Sequence, residues 1–333
     1  MSASTFRVES TVNTAAGESS SLLTLQNGFR FPSLTVTVPK ELVHRASVAE
    51  VVLTDWQRLT EDRFLVSAQW PRAHSFFTPV ADGYHDPLIM CETVRQYSIL
   101  LAHAEFGVPL GHQFIMWDLG ITVRPEHLRV GWEPASLDIE ITCTEVERRG
   151  KNISKLRFES VVWRDGYVVA TGGGSCSCMP PAVYRRIRGA QALGEDWHQL
   201  PLTSPAAPQS VGRMSPMDVV LSPTAEPDRW QLRVDTRHPV LFEHAVDHVP
   251  GMLLLEAARQ ATAALLGRSS YLPLSVESQF MRYAELNSPC MIEARRIPGA
   301  ASASADEETV LVTAHQDGVL VFSATVTAGT HGC

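Results

Sequence analysis

The segment HAVDHVPGMLLLEAARQ, residues 244–260, sets charged groups where an apolar helix has no ordinary use for them. Glu256 and Arg259 stand three residues apart inside a Leu/Ala run, and Gln260 follows. An unpaired charge in a buried helix costs several kcal/mol, so something must offset it. One account is structural, an i,i+3 ion pair that satisfies both groups locally. The other is chemical: Glu256 takes a proton as general base, and Arg259 grips an anion with its planar fork. His244 and His248 lie just upstream, and Pro250-Gly251 opens the helix. Orphan N–H groups at that opening, Gly251 among them, form a ready place for a carbonyl oxygen or oxyanion. The expected catalytic set is Glu256, His244 and Gly251, with Arg259, His248 and Gln260 directed at substrate.

The same groups occur twice. ETVRQ at 92–96 and EAARQ at 256–260 are 164 residues apart, and His74 and His238 share that offset. VHRASVAEVVL at 43–53 aligns with VGRMSPMDVVL at 211–221, and EDRF at 61–64 with PDRW at 227–230. Glu92 therefore joins the catalytic candidates and Arg95 the anion-binding ones, and symmetry alone does not choose between the structural and chemical accounts. The first-half approach, YHDPLIMCET, lacks the Pro-Gly. The more complete pocket is accordingly expected around Glu256.

Each half must position these residues with the same elements. Two strand-like segments (EVVLTDW and RFLVSAQW; DVVLSP and RWQLRVD) precede a His-bearing loop and an apolar helix, about 86–105 and 250–267. Four more alternating, β-branched segments follow in each half. The helices show almost no polar face, so they are expected to be buried. A sheet wrapped around one central helix, made twice and joined as an internal pseudo-dimer, is the α+β arrangement that results. Its expected bounds are an N-terminal extension at 1–35, repeat 1 at 36–183, a Pro-rich polar linker at 184–210 and repeat 2 at 211–333.

Composition narrows the function. The chain has 333 residues, 44% hydrophobic, with a formal charge of −8 and no basic run, which argues against nucleic acid as a partner. No apolar stretch is long enough for a membrane span and no signal peptide is evident. Six scattered cysteines suit a reducing cytoplasm, the expected location. Cys176 and Cys178 lack a second ligand pair, and His238, His244, Asp247 and His248 follow no metal-ligand spacing, so no metal is expected. Cys91 aligns with Leu255 and reads as a small core residue rather than a nucleophile. TGGGS at 171–175 lacks the Gly-Lys-Ser/Thr of a phosphate loop and reads as a strand bulge. Gly-x-Ser-x-Gly is absent.

HRASVAEVVLTDWQRLTEDRFLVSAQWPRAHSFF, ETVRQ with LLAHAEFGVPLGHQFIMWDL, and HPVLFEHAVDHVPGMLLLEAARQ together resemble the A-factor biosynthesis (AfsA-like) γ-butyrolactone synthase family, over about residues 36–330. PGMLLLEAARQ also resembles the hot-dog dehydratases of fatty-acid synthesis, although their loop histidine lies farther before the Pro-Gly than His244 does. The resemblance implies a tandem (double) hot-dog fold. It implies transfer of a β-ketoacyl group from acyl carrier protein to the hydroxyl of dihydroxyacetone phosphate, then cyclisation to a butenolide phosphate on the way to a signalling molecule. No cofactor is implied. Hot-dog sites form at the interface of paired units, so histidines of either half, His74 included, become substrate-contact candidates. A dehydratase, a thioesterase and a non-catalytic acyl binder remain open, as does further pairing into a homodimer.

Overall fold

The computed structural model describes residues 35–81, 83–191, 200–298 and 307–329. The expected N-terminal extension therefore lies outside the described residues, apart from Thr35. Alternating sequence becomes strand wherever one face can be buried. In Ala135–Arg149, Leu137, Ile139 and Ile141 point into the core while Ser136, Asp138 and Glu140 are exposed.

The first half runs β1 (Leu53–Arg58), β2 (Arg63–Trp70), α1 (Leu88–Ala104), β3 (Gln113–Val123), β4 (Ala135–Arg149), β5 (Asn152–Arg164) and β6 (Tyr167–Met179). After α2 (Pro181–Arg188), the second half repeats the order: β7 (Leu221–Pro223), β8 (Arg229–Leu232), α3 (Gly251–Leu266), β9 (Leu272–Phe280), β10 (Cys290–Arg296), β11 (Glu307–Gln316) and β12 (Val319–Gly329). All twelve strands form one sheet, ordered β1-β2-β4-β5-β6-β3-β9-β12-β11-β10-β8-β7. The order reads the same from either end once each strand is replaced by its repeat partner. The halves meet at β3 and β9, antiparallel, with Gly120 opposite Glu277. Residues 92–96 and 256–260 thus occupy equivalent helices of a double hot-dog.

Nearly every side chain of α1 and α3 is buried. α1 packs on β3 and β6, α3 on β9 to β12, and the two helices touch each other. The curl this requires explains TGGGS. An added Cβ at Gly173 would lie 2.3 Å from the Phe158 carbonyl oxygen, and at Gly174 2.5 Å from that of Asp118. The glycines allow close backbone approach and are not themselves a bulge: the register shift lies on the neighbouring β3, between Met116 and Asp118.

The stretch expected as linker begins and ends in structure. Arg188 of α2 is buried, donates to Asp247 and Glu285, and lies over the Tyr283 ring at 4.2 Å. Pro208–Val211 is a 3-10 turn. Residues 192–199 of that stretch lie outside the described residues.

Candidate functional site

The two E-x-x-R-Q motifs build the same polar cluster. On α3, Arg259 donates to both Glu256 oxygens (Nε 3.0 Å, Nη2 2.6 Å) and Gln260 donates to Oε1. On α1, Arg95 holds Glu92 at 2.9 and 2.8 Å, and Gln96 donates at 2.6 Å. Each glutamine also ties its helix to the preceding strand: Gln260 accepts from Val220 N–H, Gln96 from Val52 N–H. A second arginine completes each cluster from the loop just after a 3-10 turn, ahead of the first strand of its half. Arg213 reaches Glu256 at 2.8 Å and Arg45 reaches Glu92 at 2.6 Å. Burial alone would raise both carboxyl pKa values. The flanking guanidiniums outweigh it and hold each glutamate at about 2.

The clusters differ in what covers them. Around Glu256, Arg213 Nη1 donates to the Phe76 carbonyl at 2.6 Å and its guanidinium lies 4.2 Å from the Phe76 ring centre. Asp86 closes in beside the arginines, 1% exposed, and burial raises its pKa. Glu256 is 0% exposed and the Arg259 side chain 3%. Around Glu92 the position of Asp86 is taken by Pro250, and a cavity of about 720 Å³ opens instead. Arg45, Arg95, His44, His244 and Glu243 are among its polar lining residues. Its sleeve is apolar, with Ile99, Phe114, Leu254 and Leu255 in the wall. The start of α3 also borders it. The expectation that the more complete pocket surrounds Glu256 is thus corrected: the Pro-Gly of the second half serves the cluster of the first, because each helix start faces the other half's glutamate.

Arg95 differs from Arg259 in a way that bears on chemistry. Its Nε and Nη2 are taken by Glu92 and the Val43 carbonyl, while Nη1 has no hydrogen-bond partner among the described residues. Its side chain is 16% exposed, and burial together with the Arg45 charge lowers its pKa. Gly251 lies at the first turn of α3, where N–H groups have no intrahelical acceptor. A Cβ there would stand 3.2 Å from the Phe280 ring, which would have to give by a few tenths of an ångström.

The expected site residues therefore separate. Arg95, His244, His248 and Gly251 line the cavity. Glu92 lies directly behind Arg45 and Arg95. Glu256, Arg259 and Gln260 sit in the sealed cluster. His74 does structural work: its Nδ1 accepts from the N–H groups of Phe76 and Phe77, and its Nε2 lies 3.3 Å from Glu50. His238 repeats this with Val240, Leu241 and Asp218. His248 is anchored by Asp247 at 2.7 Å. Asp247 itself is held below the usual carboxylate range, because hydrogen bonds from His248, Tyr184 and Arg188 outweigh its burial.

Three side chains beside these clusters lie outside the E-x-x-R-Q motif. Arg45 and Arg213 were already aligned, 168 residues apart, but lie outside the helix that carries the charges. His44 lines the cavity and contacts His103, Nε2 to Nε2 at 2.9 Å. The described residues contain no cluster of three or more His, Cys, Asp or Glu side chains able to hold a metal. No helix among them is long and apolar enough to cross a membrane.

A profile of the A-factor biosynthesis hotdog domain matches the chain at residues 30–180 and again at 196–331. A 2-oxo-3-(phosphooxy)propyl 3-oxoalkanoate synthase from Streptomyces virginiae is 52% identical over 299 residues, covering 90% of this chain and 99% of the relative. Its namesake from Streptomyces coelicolor is 44% identical over 289 residues, covering 87% and 90%. Among solved structures, the 12:0-ACP thioesterase from Umbellularia californica aligns with 11% identity and a TM-score of 0.46, over 79% of this chain and 96% of that one.

Proposed function

Because the chain belongs to the A-factor biosynthesis hotdog family, we propose that it is an acyltransferase that joins a 3-oxoacyl group to dihydroxyacetone phosphate. The acyl group arrives as a thioester on acyl carrier protein, and the product is a 2-oxo-3-(phosphooxy)propyl 3-oxoalkanoate. Intramolecular aldol condensation of that ester, with loss of water, gives a butenolide phosphate, a precursor of γ-butyrolactone-type signals.

The observation that carries this reading is the cavity's composition. An apolar sleeve leads to the start of α3 and to Arg95, whose Nη1 is free for an anion. The acyl chain fits the sleeve between α1 and α3. The thioester oxygen lies toward the Gly251 end of α3, whose N–H groups and dipole stabilise the charge that develops there. Arg95 Nη1 takes the phosphate, backed by Arg45, while Glu92 fixes both arginines. The hydroxyl oxygen attacks the thioester carbon, the C–O bond forms, and the C–S bond breaks to release the carrier thiol. A base must move the hydroxyl proton. The oxygens of Glu92 and Glu256 are already occupied by arginine and glutamine donors, which hold both carboxyls below the usual range.

The test is incubation of the purified protein with a 3-oxoacyl thioester, with and without dihydroxyacetone phosphate, read by mass spectrometry. The expected result is the ester, or its dehydrated cyclic form, only when the phosphate substrate is present. Free acid formed at the same rate in both reactions would assign a thioesterase. Retention without turnover would assign a binding protein.

A further inference from the structure

His44 ends the 3-10 turn Lys40–Val43 in the left-handed region, at φ 51°. Its counterpart, 168 residues on, is Gly212 at φ 68°, ending the turn Pro208–Val211. Glycine is the ordinary occupant of this conformation, because a β-carbon strains it. The half whose glutamate cluster borders the cavity carries an imidazole there instead. His103, which His44 contacts, falls on Gly267 at the offset of 164, so neither histidine is repeated.

The hydrogen bonds fix the protons. His103 Nδ1 lies 2.6 Å from the Val108 carbonyl, which can only accept, so that nitrogen carries the proton. In the neutral ring, His103 Nε2 is then an acceptor. Its contact with His44 Nε2 needs one proton, which sits on His44. His44 Nδ1 is left with its lone pair and has no hydrogen-bond partner among the described residues. The ring lies in the cavity wall with Arg95 and His244.

We propose that His44 Nδ1 is the general base of the acyl transfer, with His103 as the positioning residue that sets its tautomer. This rests on the reading that dihydroxyacetone phosphate is acylated in this cavity. As the hydroxyl oxygen bonds to the thioester carbon, Nδ1 takes its proton. When the C–S bond breaks, the same nitrogen returns the proton to the leaving sulfur, and the ring ends as it began. Burial, then the charges of His103, Arg95 and His244, lower the His44 pKa to about 4, so the ring is the free base at neutral pH. Arg45 and Glu243 also line the cavity, and Phe114 meets the ring edge-on. A phosphate dianion on Arg95 raises the proton affinity of His44 in the bound complex.

The test starts with the wild-type chain. If it forms no ester from a 3-oxoacyl thioester and dihydroxyacetone phosphate, the transfer reading falls and His44 is not at issue. Given transfer, His44→Gly installs the residue type that Gly212 already supplies in the same turn. It is expected to lower kcat about 10²–10⁴-fold, with KM for dihydroxyacetone phosphate within a few-fold and the unfolding midpoint near wild type. Added imidazole should restore kcat by on the order of tenfold, by replacing the missing base. An unchanged kcat overturns the proposal. A lowered kcat that imidazole does not restore, with the wild-type pH profile retained, gives the ring a structural role and also overturns it. His103→Phe should lower kcat and shift the acidic limb of the pH–rate profile, since the acceptor that holds the His44 proton on Nε2 is gone. If neither changes, the positioning role fails.

Discussion

Replacing arginine by lysine in each cluster separates anion binding from structural pairing. In Arg95, Nε and Nη2 hold Glu92 at 2.9 and 2.8 Å, and Nη1 remains for the substrate phosphate. Lysine keeps the charge but has one nitrogen, which cannot hold both carboxylate oxygens and also reach the cavity. The loss is about one charged hydrogen bond, roughly 1.5–3 kcal/mol, which corresponds to about a ten- to hundredfold rise in KM for dihydroxyacetone phosphate. KM for the acyl thioester should move little. Arg259 stands behind a closed wall, its side chain 3% exposed, and makes its bonds to Glu256. Arg259→Ala leaves a buried carboxylate with Arg213 as its remaining cation, at a cost of about 3–5 kcal/mol. The unfolding midpoint should fall by on the order of 10 °C, with no substrate singled out. Thermal unfolding comes first, then steady-state rates with each substrate varied in turn. A selective KM defect in Arg259→Lys, with Arg95→Lys kinetically silent, would refute the assignment of the cavity to the Glu92 cluster.

The two glutamates make stability depend on acid. Each has a folded-state pKa of about 2 against an ordinary 4.5, so their stabilisation is complete above 4.5 and is lost as pH falls toward 2. The unfolding midpoint should drop across that window, and Glu256→Gln should flatten the drop. Glu92→Gln should lower turnover more than Glu256→Gln at matched folding, because Glu92 fixes the two arginines at the cavity; equal losses would contradict this. Gly251→Ala should lower kcat/KM for the thioester about tenfold, by crowding the Phe280 ring and the oxyanion position. Stopped-flow turnover beside thermal unfolding measures it, and wild-type kcat/KM would count against the oxyanion role.

Much of the fold was legible because the chain states it twice. Period-two patterns and two apolar helices at offsets of 164 to 168 place every strand and both central helices. The charged motif was equally plain, since Glu92 and Glu256 are conspicuous among leucine and alanine. Which cluster works was not legible, because covering contacts join residues remote in sequence. Phe76 seals Arg213 across 137 positions, while Glu243 engages Arg45 across 198 and leaves room beside it. In the sequence the Pro-Gly stands nearest its own helix's glutamate, but in the fold it borders the cavity beside the other half's Arg45 and Arg95. His74 and His238 repeat faithfully because they cap equivalent loops, so repetition there marked structure. His44 left the opposite trace: a histidine where the repeat has glycine.

We propose that acyl acceptance takes place between Arg95 and the start of α3, with the Glu256 cluster sealed. A crystal structure of the protein with dihydroxyacetone phosphate tests it most directly. The phosphate is expected within hydrogen-bond distance of Arg95 Nη1, with the hydroxyl toward His44 and Gly251. Phosphate bound by Arg213 and Arg259, with Phe76 and Asp86 displaced, would contradict it.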